Sequence, residues 1–133
     1  MKKHLIVLAI ASTCFAMSSA NAMTKDEYKV AKEKIEADYK VDKAQCDTLK
    51  DNAKDVCMKQ AKGKENVAKA ELEAQYKPSS SHTRKVAEEK AEANYEVAKE
   101  KCDDQSGDAK NACVNQAKAE HDKAKADIKA MKG

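Results

Sequence analysis

Four cysteines, Cys46, Cys57, Cys102 and Cys113, carry most of the chemistry open to this 133-residue chain. They fall into two pairs of one form, CDTLKDNAKDVC and CDDQSGDAKNAC. Thiols so placed could form disulfides, exchange disulfides or bind a metal. An exchange catalyst wants Cys-x-x-Cys at a helix start, where the thiol pKa falls, and that motif is absent. C-x10-C is not a usual zinc spacing. A metal site would need the two pairs to converge, with His82 or His121 beside them. In an unbroken helix, residues this far apart are separated by about 16 Å along the axis. A disulfide needs Cα atoms within about 7 Å. Each pair can therefore close only if the chain reverses inside it, and the turn residues Asp51-Asn52 and Gly107-Asp108 sit at the two midpoints. Four cysteines allow three connectivities. The reversals predict Cys46–Cys57 and Cys102–Cys113, each bridge contributing about 2–3 kcal/mol.

The compartment follows from the first residues. Lys2 and Lys3 precede an apolar stretch from Leu5 to Ala11, and Ala20-Asn21-Ala22 is a small-x-small cleavage site. Residues 1–22 thus read as a secretory signal peptide cut after Ala22. The apolar stretch is too short for a membrane anchor, and Ala11-Ser12-Thr13 before Cys14 fits a lipobox poorly. The signal takes Lys2 and Lys3 from 26 basic residues and none of the 23 acidic ones, so 24 face 23 in the remainder, for +1. Cys14 and Phe15 leave with it, and an even cysteine count remains. An exported chain with an even count is what a disulfide framework looks like. The short signal points to the bacterial periplasm.

The remainder is one unit written twice. At an offset of 56, Lys29-Val30-Ala31 matches Lys85-Val86-Ala87, Tyr39 matches Tyr95, and both cysteine pairs align. Residues 29–77 and 85–133 share 22 of 49 positions, without a gap. A shorter period of 11 lies inside each copy, as in Tyr28-Lys29-Val30 and Tyr39-Lys40-Val41. At 3.67 residues per turn this keeps an apolar stripe almost straight along a helix. Ala, Lys and Glu are strong helix formers.

Local chemistry sets the expected boundaries. Thr24-Lys25-Asp26-Glu27 is a capping box, with Met23 and Tyr28 at the staple positions. The first helix is expected over 24–50. Asn52 is expected to cap a second helix that ends before Pro78. Thr83 is expected to cap a third that stops near Gly107, and Asp108 a fourth. Asp51 and Gly107 align and suit a left-handed turn. The fold class is therefore all-α: two tandem αα-hairpins, 23–77 and 84–133, about a linker at 78–83. Whether they pack as a bundle or form an extended pair is open at this level. Gly63 lies inside the second helix, where it costs about 1 kcal/mol relative to alanine. Large apolar residues are few, and a thin alanine-lined core commonly needs crosslinks.

Other functions find little support. Glu36–Lys40, Glu65–Lys69 and Glu73–Lys77 are favourable i,i+4 pairs on solvated faces. A near-neutral charge with Arg84 as the sole arginine argues against nucleic-acid binding. No helix carries the Trp, Phe or Leu face that membrane-surface binding uses, so no stable membrane insertion is expected once the signal is cut. Tyr39 and Tyr95 read as packing residues. No nucleophile–base pair or phosphate loop is evident, so neither an enzyme nor a cofactor is expected.

The pattern Y-x-V-x-K-x-x-C-D…A-K-x-x-C…Q-A-K, at Tyr39–Lys62 and Tyr95–Lys118, resembles a group of small exported proteobacterial proteins. Those are rich in Ala and Lys and carry twin cysteine pairs. Some are labelled as similar to the helical region of the envelope protein TolA. The staples are also similar to twin Cx9C hairpins, although the spacing here is ten. The 11-residue period looks like that of late-embryogenesis-abundant stress proteins. The resemblance implies export and helical hairpins but supplies no binding residue. The expected function is a non-enzymatic periplasmic protein in envelope structure, interaction or stress protection, its partners other envelope proteins or a second copy. The alternative is a metal- or redox-responsive binder using the four thiols.

Overall fold

The computed structural model describes residues 22–131. Ala22 is the first of these. Residues 1–21 of the expected signal, Ala20 among them, lie outside the described residues.

Four helices follow one another: α1 (Lys25–Cys46), α2 (Asp51–Tyr76), α3 (Ser80–Cys102) and α4 (Gly107–Ala130). The capping box starts α1 as expected. Thr24 Oγ1 accepts from the Glu27 amide at 3.2 Å, and Glu27 Oε2 accepts from the Thr24 amide at 2.7 Å.

The two tips are built alike. α1 and α3 stop at their cysteines, four residues follow, and the next helix opens on a left-handed residue, Asp51 (φ 52°) or Gly107 (φ 59°). Asn52 and Asp108, expected as caps, instead lie inside the first turns of α2 and α4. The cap positions belong to Lys50 and Ser106, and neither makes a side-chain capping bond. The left-handed residue shifts each helix start toward the tip by one position beyond the expected cap. Lys54 pairs with Asp47 at 3.0 Å, and Lys110 repeats the pair with Asp103 at 2.9 Å.

The junction between the repeats is shorter than the expected linker. Pro78 ends α2, but Ser79 rather than Thr83 caps α3, its hydroxyl accepting from the His82 amide at 3.1 Å. Thr83 lies within the helix and donates to the Ser79 carbonyl. Ser79 takes the role because it is the first residue after Pro78 with an extended backbone and an oxygen free to fold back.

So tight a connection makes α2 and α3 a third antiparallel hairpin, running from Asn52 beside Glu100 to Glu71 beside Lys90. Among the described residues only consecutive helices touch. α2 meets α1 through Cys57 and Tyr76 and meets α3 through Gly63 and Lys59. Gly63 and Cys57 lie about 120° apart around the helix, and Gly63 and Tyr76 about 140°. With no contact between α1 and α3, α1 and α4 or α2 and α4 among the described residues, the helices form a pleated layer rather than a closed bundle. A layer encloses little, and the buried apolar residues are correspondingly few and small: Cys46, Ala61, Ala70, Leu72, Cys102, Ala117 and Ile128.

Candidate functional site

Both disulfides form as the reversals require. Cys46–Cys57 has a Cα separation of 5.4 Å and Cys102–Cys113 one of 5.6 Å. In each bridge the cysteine that ends a helix is sealed, Cys46 at 1% exposure and Cys102 at 0%. Because α1 and α3 run parallel to each other and antiparallel to α2 and α4, the two bridges share one end of the layer. Asn52 Nδ2 donates to the Glu100 carbonyl at 3.0 Å and ties the two stapled tips together.

The histidines do not join the cysteines. His82 is at the opposite end, where its Nδ1 contacts the Lys77 carbonyl. His121 lies two turns along α4 from Cys113, and its side chain is only 13% exposed. It is therefore a covered side chain that joins neither the cysteines nor the solvent. The imidazole stacks on Tyr95, with ring centroids 4.5 Å apart, and its Nε2 is 3.1 Å from Glu92. Among the described residues no group of His, Cys, Asp or Glu is arranged to hold a metal ion.

The position equivalent to His121 in the first copy is Glu65, and it too is covered, at 6% exposure. Its carboxylate accepts from Lys62 at 2.8 Å and Lys69 at 2.6 Å. Burial would raise its pKa, but the hydrogen bonds from the two lysines outweigh that and hold the group below its ordinary value. Lys62 also lies 5.3 Å from the ring of Tyr39, the counterpart of Tyr95. Each hairpin thus carries one covered polar side chain next to its tyrosine, a carboxylate in one and an imidazole in the other. Sequence reading missed this pair, although the offset of 56 aligns them.

The ends of the hairpins away from the bridges also differ. In the first, Tyr28 stacks on Tyr76 at 4.5 Å and its hydroxyl donates to Glu73. Glu73 is therefore engaged across the hairpin rather than with Lys77. In the second, Arg84 occupies the place of Tyr28 and donates to the Met131 carbonyl at 2.9 Å. A groove of about 570 Å³ lies beside it between α3 and α4, lined by His121, Lys125 and Lys129 and by Glu88 and Glu92. A second groove, about 730 Å³, follows one side of the α2/α3 seam over Val67, Ala93, Val97 and Ala98. No helix is long and apolar enough to cross a membrane among the described residues. No known protein family matches the chain, and neither the curated proteins nor the solved structures hold a match to it.

Proposed function

We propose that the chain is an exported, disulfide-stapled helical protein of the bacterial periplasm, which acts in the envelope through its helix faces rather than by catalysis. One observation carries the reading: both stapled tips stand at one end of an open layer, so covalent bonds hold helices whose broad faces remain uncovered. Closing two short loops by disulfide suits an oxidising compartment. It also supplies stability that so few buried apolar residues do not. A layer leaves both its faces and its outer helices accessible, which is the geometry of a protein that docks others.

The test is non-reducing peptide mapping of the protein recovered from a periplasmic extract, with thiol counting. The expected result is an N-terminus at Met23, no free thiol and two bridged peptides, Cys46–Cys57 and Cys102–Cys113. Four free thiols with stoichiometric metal would overturn the proposal in favour of a thiolate binder. Retention of residues 1–22 in the cytoplasm would overturn export.

A further inference from the structure

The duplication provides a template for what covers the outer face of α1. In α3, Val86, Ala93 and Val97 form the face that α2 covers, and all are at least half-buried. Their counterparts in α1 are Val30, Ala37 and Val41, on the face turned away from α2. Val30 is 66% exposed and Val41 57% exposed. The same apolar stripe, written twice, is thus covered once. Its natural cover is a helix equivalent to α2, and in this chain that helix is α4, whose outer face is likewise uncovered.

We infer that α4 of one copy docks against α1 of a second copy and continues the layer head to tail, reproducing the α2/α3 seam between molecules. Shifting the seam contacts by 56 in each direction gives the pairings. Two of them are lost: Asn52 on the Glu100 carbonyl becomes Asp108 facing the Ala44 carbonyl, which makes no hydrogen bond, and Val67 beside the seam becomes Lys123. The stapled tips are therefore not tied, and the contact rests on the middle and far part of the helices. Glu71–Lys90, an ion pair of 2.7 Å, becomes Asp127 against Lys34, again opposite in sign. Lys59–Glu96 becomes Asn115 against Lys40, where the amide oxygen can accept from the ammonium. Gly63 against Ala93 becomes Ala119 against Ala37, so this seam is set wider by one methyl and is the weaker of the two. Lys34 and Asp127 now form only exposed i,i+4 pairs with Asp38 and Lys123, and such pairs exchange at little cost. The contact joins two different surfaces, so it is heterologous and builds rings or open rows. This rests on the reading of the chain as an interaction protein and names its partner as a second copy.

The test uses the oxidised protein. Light scattering across a concentration series is expected to show the mass rising above that of one chain. Val41→Lys is expected to weaken that assembly about tenfold or more, because a buried valine is exchanged for a charge. Ala119→Gly is expected to strengthen it by letting the helices approach as α2 and α3 do. Mixing the separate variants Ala37→Cys and Ala119→Cys under mild oxidation is expected to yield a crosslinked pair, while Ala37→Cys alone yields none. A single-chain mass at millimolar concentration would overturn the inference and leave the periplasmic reading standing, as would a crosslinked Ala37→Cys homodimer, which would mean that α1 faces α1. Free thiols or a retained leader in the peptide map would instead strike the periplasmic reading alone.

Discussion

A Cβ at position 63 would lie 2.7 Å from the Cβ of Ala93. Gly63 marks a close approach between the two repeats, and that explains why a glycine stands in the middle of a 26-residue helix. On helix propensity alone, Gly63→Ala should stabilise α2 by about 1 kcal/mol. The contact decides otherwise, because both atoms are held on helical backbone and cannot swing aside, and overpacking of this kind costs about 1–3 kcal/mol. Gly63→Ala is therefore expected to lower the midpoint of urea unfolding. The double variant Gly63→Ala/Ala93→Gly is expected to recover most of the loss, since it moves the same methyl to the other side of the seam. Unfolding midpoints of the three proteins check this, and a Gly63→Ala protein more stable than its parent would refute the role given to the contact.

The cysteine pairs make a second test. Replacing Cys46 and Cys57 together by serine, or Cys102 and Cys113 together, removes the loop constraint and is expected to cost about 2–3 kcal/mol in each case. The two losses should add, because the bridges close separate loops with no shared atom. Denaturant titrations read the sum, and four-serine protein should unfold at the lowest midpoint of the set.

Asn52 links those two tips across the seam. Its side-chain amide donates to the Glu100 carbonyl, and the second copy has an aspartate at the equivalent position, which cannot donate. Asn52→Asp is expected to lose that bond and to oppose the carbonyl with a charge, for about 1–2 kcal/mol. Hydrogen exchange should locate the effect at the tips, in the amides around 47–52 and 100–106, with the far end near Ser79 unchanged. Uniformly faster exchange along all four helices would contradict so local a role.

Much of this architecture was legible because the features that set it are local. The thiol spacing forced the reversals, and Asp51 and Gly107 took the left-handed conformation that their alignment suggested. The capping box at Thr24 needs only residues three apart. The caps of the other helices were less legible, because Asn52 and Thr83 are good cap residues whose places were taken by a backbone shift and by a nearer serine. The open layer could not be read at all. Its α2/α3 seam closes at Gly63 and Ala93, whose small size gives no sign of a packing point. The apolar stripe of Val86 and Val97 occurs equally in α1, where nothing covers it, and Gly63 in isolation reads as a defect. The covered polar pair was hidden for a similar reason: Glu65 and His121 look like members of solvated charge runs until the partner helix covers them, α1 with Ile35 and Tyr39 beside Glu65 and α3 with Tyr95 stacked on His121.

Glu65 makes the first hairpin sensitive to acid. Its carboxylate is charged and held by Lys62 and Lys69 in the folded chain, and its pKa lies below the ordinary 4.5. Glu96, held by its hydrogen bond from Lys59 across the α2/α3 seam, is lowered as well. A group whose folded pKa is depressed contributes stability that is fully present above its unfolded pKa and is lost as the pH falls through the folded value. Stability should therefore be level with respect to these two groups from neutral pH to about pH 5, and should fall progressively below that as first the unfolded and then the folded carboxyls take up protons. Glu65→Gln keeps the size of the side chain and removes the charge. It is expected to cost about 1–2 kcal/mol at pH 7 and less at pH 3, where the parent carboxyl is losing its own advantage. Urea midpoints of parent and variant at the two pH values measure the difference. A gap that is as wide at pH 3 as at pH 7 would show that the carboxylate's charge is not what stabilises the site. A gap that narrows only in Glu65→Gln, and not in a Glu36→Gln control on an exposed face of α1, would assign the acid response to the buried position.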